Sequence, residues 1–147
     1  MKHFLKNLKN KPAAILLSGI MMLLLPSISH ASGIDSSWVK YADSSGVSIY
    51  YDTTQCNGNN VIFINFSNNN SYDVKIEWQD SMKAFGRWVN SSKKGTKSIT
   101  VPAGTLTSNS CGNIKDWQCA MFSQKYLTVP NPKITGYKIT TLTITQQ

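Results

Sequence analysis

The sequence has little negative charge and almost no histidine. Seven Asp and Glu residues stand against 15 Lys and Arg in 147 residues, and both histidines, His3 and His30, lie within the first 31. The pattern of those 31 residues predicts their removal, which leaves a chain without histidine. Such a chain lacks the imidazole needed for Ser-His-Asp catalysis, for zinc sites built on histidine and for a histidine pH switch near neutrality.

Carboxylates are too few and too widely spaced to indicate a hydrolase. Glu77 is the only glutamate, and Asp73 lies four residues before it on the same face of a predicted strand. Four residues span roughly 13 Å of extended chain, whereas the two carboxyl groups of a glycosidase are roughly 5–10 Å apart. These side chains suit the solvated face of a strand, so we predict no catalytic residue and no enzyme activity.

Metal sites and nucleic-acid sites also lack their usual side chains. The asparagine-rich turns at residues 57–60 and 68–70 contain no carboxylate, and a calcium site requires several at short spacing. Arg87 is the only arginine and the lysines are scattered, whereas nucleic-acid binding requires basic residues clustered on one face. We therefore predict no metal, no cofactor and no nucleic-acid partner.

The N-terminal segment has the pattern of an export signal. Four lysines precede an apolar run at residues 13–25, which Pro26 ends. Small residues at positions 29 and 31 then match the requirement of a signal peptidase. The run of 13 residues is shorter than the ~20 that a helix needs to span a bilayer. We predict cleavage after Ala31 and no stable transmembrane segment afterwards.

This cleavage defines the domain organisation, with a signal peptide at residues 1–31 and a single domain at residues 32–147. The four lysines lost with the signal leave 11 basic and seven acidic residues, a net charge of +4. The remaining 116 residues are enough for one domain with its own hydrophobic core. We expect this domain in the periplasm, at the cell surface or outside the cell.

Short strand patterns fill the domain, and no long stretch has helical periodicity. Val74, Ile76 and Trp78 point to one side of a strand, which predicts a half-buried strand with Trp78 in the core. Residues 61–66 are apolar at nearly every position, which predicts a strand covered on both faces for part of its length. We expect these two strands to form a hairpin, and the last strand to have a bulge near Thr140.

Together these patterns predict an antiparallel β-sandwich of about seven strands. The predicted strands lie at residues 38–42, 47–51, 61–66, 74–78, 96–101, 126–129 and 134–145. Residues 79–95 are expected to be a strand or a bent connection, and residues 114–122 a short helical turn or an irregular strand.

Several motifs of this domain occur together in a known group of proteins. A strand closed by asparagine and a polar turn precede Val74-x-Ile76-x-Trp78, and Ile99-x-Val101 runs into Pro102-Ala103-Gly104. The pairs Cys56-Asn57 and Ser110-Cys111 accompany them. Over about residues 47–111 the sequence resembles the immunoglobulin-like sandwich modules of small exported proteins from Bacteroidetes-type bacteria. The resemblance implies an immunoglobulin-like fold and export, and it implies no shared catalytic residues.

Three cysteines, Cys56, Cys111 and Cys119, remain in the domain, and an exported protein tends to oxidise a suitable pair. Cys111 and Cys119 are close in sequence, whereas a Cys56–Cys111 bond would tie the loop before the 61–66 strand to the loop after Gly104. The residues alone leave these two pairings open, with Cys56–Cys119 behind them. The resemblance favours Cys56–Cys111. We expect the third thiol to be buried and inert, and the alternative is that it is available for an intermolecular bond.

Aromatic residues supply the candidate binding site, because the domain has four tryptophans: Trp38, Trp78, Trp88 and Trp117. Trp88 and Trp117 lie in poorly patterned segments beside charged residues such as Arg87, and exposed tryptophan gives a large contact area with few rotatable bonds. The alternative is that each ring closes an open end of the sandwich. We predict a non-catalytic binding or structural module that recognises a protein partner through loops at one end, or alternatively a carbohydrate-binding module.

Overall fold

The computed structural model describes residues 37–91, 95–129 and 131–147. The predicted signal peptide and its cleavage site lie outside these residues. The described chain contains eight β-strands, and its only helical elements are 3₁₀ turns, which confirms the all-β prediction. The strands are β1 (Val39–Ser44), β2 (Val47–Cys56), β3 (Asn59–Asn68), β4 (Val74–Ala84), β5 (Arg87–Asn90), β6 (Lys97–Val101), β7 (Ala120–Phe122) and β8 (Ile134–Gln146).

Three of the strand connections are two-residue turns that end in glycine. Ser45-Gly46 joins β1 to β2, Asn57-Gly58 joins β2 to β3, and Phe85-Gly86 joins β4 to β5. Both residues of each turn have positive φ. This is the backbone of a type I′ turn, whose twist matches the right-handed twist of the strands it joins. These three hairpins are therefore encoded locally.

The strands form two antiparallel sheets. The first sheet has the order β1-β2-β3-β7. In the second sheet, β4 is the central strand and pairs with β8 along its whole length on one edge. The other edge of β4 is shared, because β6 pairs with its first half and β5 with its second half. Two antiparallel sheets are consistent with the predicted β-sandwich.

The predicted hairpin between residues 61–66 and 74–78 is wrong. β3 and β4 lie in different sheets, and the chain crosses between the sheets at residues 69–73. The buried Asn68 side chain holds this crossing, because its amide donates to the backbone carbonyls of Tyr72 (2.8 Å) and Val101 (3.0 Å). Alternating patterns are the same for paired strands and for strands that face each other across a core, so the pattern could not separate the two cases.

The main core lies between the sheets, and β4 supplies its centre. Trp78 is fully buried, as predicted, and its ring lies 5.0 Å from that of Phe66 on the opposite sheet. The pairing of β4 with β8 shifts where Gln79 faces Thr141 and Asp80 faces Ile139. Thr140 is thus the extra residue, and the predicted bulge in the last strand is confirmed.

β3 also has a covered outer face, which confirms the prediction of a strand buried on both sides. Val61 and Phe63 point away from the main core and are buried in a second, smaller cluster with Ala120 and Phe122. A segment that we call the cover loop (residues 106–119) contributes Ile114 to this cluster. The loop begins at the edge of β3, where the backbone N–H of Thr107 donates to the carbonyl of Phe66. The chain then returns to the same edge of β3, where β7 pairs with it.

One predicted strand, at residues 126–129, is wrong. The backbone N–H groups of Tyr126 and Leu127 both donate to the carbonyl of Ser123, at 3.1 and 3.0 Å, which makes a turn. Tyr126 and Leu127 still pack against the main core. The apolar character of this segment therefore reflects burial at the edge of the core, without strand pairing.

The hairpin turns Asn57-Gly58 and Phe85-Gly86 lie at the same end of the sandwich. Asn60, next to the first turn, donates its backbone N–H to the Asn131 side chain at 2.7 Å. Ile134 follows Asn131 by three residues and pairs with Ala84, which directly precedes the second turn. We call this the Phe85 end. The Ser45-Gly46 turn lies at the opposite end, where Gly46 accepts a backbone hydrogen bond from Asn69.

Candidate functional site

The cover loop is held in one conformation by covalent and polar contacts. Cys111 forms a disulfide with Cys56, the last residue of β2, with their Cα atoms 5.3 Å apart. The buried Asn109 side chain accepts hydrogen bonds from the backbone of Lys115 (3.0 Å) and Asp116 (3.1 Å). The backbone N–H of Asn109 donates in turn to the Asn65 side chain of β3 at 3.0 Å. The loop is thus tied to the sheet beneath it at several points.

Beside the disulfide lies a groove of about 510 Å³, which we call the Trp117 groove. Its apolar lining consists of the disulfide, Ile114, Phe122 and the Trp117 ring. Polar side chains complete the lining, namely Asn57, Asn59, Gln124 and Lys125. Because Asn57 belongs to the β2–β3 turn, the groove opens at the Phe85 end. Its size and mixed lining are typical of sites that hold a small ligand or part of a larger one.

Trp117 presents most of its ring to solvent. It begins a 3₁₀ turn (Trp117–Cys119) that is capped by Asp116, whose carboxylate accepts from the backbone of Gln118 at 2.8 Å. Trp117 is 61% exposed, and its ring lies 5.9 Å from that of Phe122. The Lys125 ammonium lies 5.0 Å from the Trp117 ring centroid, a cation–π distance. Trp117 therefore has neighbours that position its ring, and the residue remains largely exposed.

Trp88 and Arg87 lie on a different surface. They belong to β5 and line a depression of about 470 Å³ together with Phe85, Leu127 and Val129. Trp88 is 45% exposed. The structure thus places the three predicted site residues on two surfaces, Trp117 in its groove and Trp88 with Arg87 in the depression, and both tryptophans are too exposed to be part of the core.

Comparison of the chain with protein-family models, curated proteins and solved structures gave no match. The two candidate surfaces therefore rest on their own geometry. Residue type alone singled out Trp117 and Trp88 in the sequence. Ile114, Phe122 and Lys125 went unnoticed as site residues, because only the folded chain brings them beside Trp117.

A buried polar cluster around Asp80 is a further feature that the sequence analysis missed. One oxygen of the fully buried Asp80 carboxylate accepts from the Lys97 ammonium at 2.8 Å, from the Trp78 indole at 3.2 Å and from the Tyr137 hydroxyl at 3.3 Å. The other accepts from the Ser91 hydroxyl. Asp80 continues the series of inward-facing residues Val74, Ile76 and Trp78 on β4. This two-residue spacing was the signal in the sequence that could have placed Asp80 in the core. Because these polar groups bond to one another inside the core, we assign the cluster a structural role.

The cysteines have separate roles. The Cys56–Cys111 disulfide excludes the alternative Cys111–Cys119 pairing, which was left open on the residues alone. Cys119 is a free thiol in the main core. Burial raises its pKa to about 12, so the thiol stays protonated near neutral pH and lacks the thiolate that reacts. The prediction that the third thiol is buried is confirmed.

The other charged side chains of the described residues are exposed or half-buried. Asp73 is exposed, and Glu77 is half-buried and forms an ion pair with Lys75 at 3.0 Å. Within residues 37–91, 95–129 and 131–147, no group of three His, Cys, Asp or Glu side chains is placed to hold a metal ion. In the same residues, no helix is long and apolar enough to cross a membrane.

Proposed function

We propose that the protein is an exported, non-catalytic binding module that recognises a protein partner, and that the Trp117 groove is its binding site. The observation that carries this proposal is an exposed tryptophan on a loop that is already ordered by a disulfide. Tryptophan is among the residues that contribute most to protein interfaces. A loop fixed in advance lowers the entropy lost on binding.

The lining of the groove favours a partner segment with an apolar and an acidic side chain. Ile114, Phe122 and the disulfide offer an apolar floor, and Lys125 places a positive charge over the aromatic rings of the groove. An apolar side chain on the floor loses contact with water, and a carboxylate beside Lys125 gains a charge-assisted hydrogen bond. Recognition through loops at one end of the sandwich agrees with the position of the groove at the Phe85 end.

Affinity capture from an envelope extract tests this proposal. We expect the wild-type protein to retain a stoichiometric partner and Trp117→Ala to retain it roughly tenfold or more weakly, in line with the loss of an interface hot spot. Tyr72→Ala is the matched control, since Tyr72 is an exposed aromatic residue beyond the end of β3 that lies away from the Phe85 end. Equal capture by the wild type and Trp117→Ala would show that the groove is not the binding site.

A carbohydrate is the second candidate ligand, because amide side chains surround the exposed ring. Asn57, Asn59 and Gln124 line the same groove as Trp117, and amides can donate to and accept from sugar hydroxyls while the indole packs on the apolar face of the sugar. A glycan array distinguishes this ligand from a protein. Binding that Trp117→Ala abolishes would favour the carbohydrate, and a blank array would eliminate it.

Export and the immunoglobulin-like type of the sandwich belong to the same proposal. The Cys56–Cys111 disulfide supports export, because disulfides persist in oxidising compartments. N-terminal sequencing of the protein recovered from the producing cell tests it, with Ser32 as the expected first residue. A chain that keeps its first 31 residues would contradict export by a cleaved signal peptide.

A further inference from the structure

We propose that the tip of the β4–β5 hairpin docks on the surface of an anionic phospholipid bilayer, independently of the Trp117 groove. The surface concerned, here called the Phe85 patch, consists of Phe85, Trp88 and Val129 with the cations Lys83, Arg87 and Lys138 around them. Its most unusual residue is Phe85, which is 66% exposed and has a φ of 50°.

Phe85 is unfavourable for stability in two ways. A type I′ turn requires positive φ at both central residues, and asparagine, aspartate or glycine normally fills the first. A bulky side chain at positive φ is strained, and a phenylalanine in water also forgoes the gain of burial. The neighbouring glycine faces open space, since a Cβ added to Gly86 would meet no atom within 4 Å. Strain of this kind at an exposed tip indicates a functional role.

Phe85 belongs to a larger apolar surface. Trp88 and the 42%-exposed Val129 line the same depression as Phe85, and the half-buried Leu127 and Val89 belong to the same lining. The Trp88 ring lies over the outer face of the second sheet, where an added Cβ on Gly136 would come within 3.5 Å of it. Adjoining exposed apolar side chains of this size mark interaction sites on protein surfaces.

Positive charge surrounds this apolar surface. Lys83 is the cross-strand partner of Trp88, and the Lys138 ammonium lies 4.4 Å from the Trp88 ring centroid. Among the described residues, no carboxylate forms an ion pair with Lys83, Arg87 or Lys138. The cations around the patch are thus available to a negatively charged surface outside the molecule.

The charged side chains at the other end of the sandwich differ from these. Asp43, near the Ser45-Gly46 turn, forms an ion pair with Lys40 at 2.8 Å, and Asp73, directly before β4, accepts from the backbone of Ala103 at 2.9 Å. Within the described part of the chain, the cations of the Phe85 patch therefore have no ion-pair partner, whereas the carboxylate of Asp43 at the far end has one. A negatively charged plane would orient the molecule with its Phe85 end towards it.

A bilayer suits this combination better than an acidic protein does. Phe85 projects from the tip of a hairpin, and a projecting aromatic side chain can enter the soft boundary between lipid headgroups and acyl chains. Tryptophan prefers that boundary, because one part of its ring is apolar and the N–H is polar. Lysine and arginine near the surface attract anionic lipid headgroups, each by about fivefold in affinity.

Vesicle binding tests the proposal with the exported protein. We expect it to bind vesicles that contain phosphatidylglycerol, to bind phosphatidylcholine vesicles weakly, and to lose binding as salt screens the charges. Phe85→Asn should reduce the partition coefficient roughly ten- to a hundredfold, since it removes one buried phenylalanine. Arg87→Gln should reduce it about fivefold.

The variants are chosen so that loss of folding cannot imitate loss of binding. Asparagine suits the positive φ of position 85, so Phe85→Asn should unfold at the same or a higher urea concentration than the wild type. Trp117→Ala and Tyr72→Ala should bind vesicles as the wild type does, which separates this proposal from that of the groove. The membrane proposal would be overturned by equal binding of both vesicle types, by no binding to either, or by unchanged binding of Phe85→Asn. It would also be overturned if the only ligand of the patch were an acidic protein.

Discussion

Asp80 and Lys97 form an ion pair inside the sandwich at a cost in desolvation that their other contacts must offset. The Asp80 carboxylate also accepts from the Trp78 indole and the Tyr137 hydroxyl, so the negative charge is distributed over several donors. Buried pairs of this kind contribute little net stability, but breaking one leaves an unpaired charge in the core. The pair therefore acts as a constraint within the second sheet, where it joins β4 to its neighbour β6.

Removing one member of the pair should be costly. We expect Asp80→Asn to lower the free energy of unfolding by about 3–5 kcal/mol, because the Lys97 ammonium would lose its counter-charge. Urea unfolding followed by tryptophan fluorescence measures this change. The double variant Asp80→Asn with Lys97→Met should recover part of the loss, and a double variant whose loss equals the sum of the single losses would show that the two side chains do not interact.

The Cys119 thiol makes stability dependent on pH in the alkaline range. Burial raises its pKa from an ordinary 9.0 to about 12, so between these values the folded state keeps a proton that the unfolded state has released. Its contribution to stability is fully present below pH 9.0 and is lost as pH rises towards 12. Burial also raises the pKa of the Tyr137 hydroxyl well above its ordinary value, which acts in the same direction.

We therefore expect the free energy of unfolding to fall above about pH 9, with a slope of up to about 1.4 kcal/mol for each pH unit and each proton. Urea midpoints at a series of pH values measure the slope. Cys119→Ala should reduce it, and Tyr137 and Tyr126, whose pKa values burial also raises, should contribute to what remains. A slope that is unchanged in Cys119→Ala would contradict the assignment to this thiol.

At the scale of strands and loops, the sequence predicted those elements whose side chains alternate clearly. β4 was recognised from Val74, Ile76 and Trp78, and β8 was predicted together with its bulge at Thr140. The predicted strand 126–129 failed, because apolar residues at the edge of a core look the same whether or not their backbone pairs. Pairing partners were equally hidden, since the crossing from β3 to the other sheet is held by the hydrogen bonds of Asn68, which leave no hydrophobic pattern in the sequence.

The cover loop could be predicted only in part. Cys111 was identified as a disulfide candidate, and the resemblance favoured the pairing with Cys56 that the structure has. That the loop lies across the outer face of β3 depends on Asn109 and Asn65, two asparagines whose contacts join residues 44 positions apart. Such polar contacts have no repeating pattern in the sequence.

Breaking the disulfide should loosen this loop more than the rest of the sandwich. We expect Cys111→Ser to lower the free energy of unfolding by about 2–4 kcal/mol. In hydrogen exchange, the amides of residues 106–119 should exchange faster than in the wild type while those of β4 change little. Cys119→Ser is a control that leaves the disulfide intact. Uniformly faster exchange across both sheets would contradict a local role for the bond.

At the scale of the whole molecule, the sandwich separates two surfaces that the sequence analysis had combined. Trp88, Trp117 and Arg87 were predicted as one site, because residue type marks them equally. The fold places Trp117 in a groove bounded by the cover loop, and Trp88 with Arg87 on the depression beside the hairpin tip. Which surface a side chain joins depends on strand pairing, and that was the weakest part of the sequence prediction.

Both surfaces are at or near the Phe85 end, so the two proposed contacts would share one end of the molecule. The groove is concave and rests on a disulfide-bonded frame, which suits a defined ligand. The Phe85 patch projects and is surrounded by cations, which suits a broad negative surface. A protein that used both would be held at a membrane while the groove took its partner.

Site-specific photo-crosslinking tests the central claim, that the Trp117 groove binds a partner, most directly. A photoreactive residue replaces Gln124, an exposed residue of the groove, or Thr143, an exposed residue on the outer face of the other sheet. Irradiation in the producing cell should give a defined crosslinked species from position 124, none from position 143, and none from position 124 when Trp117→Ala is also present. No crosslinked species from position 124, or the same species from both positions, would contradict the claim.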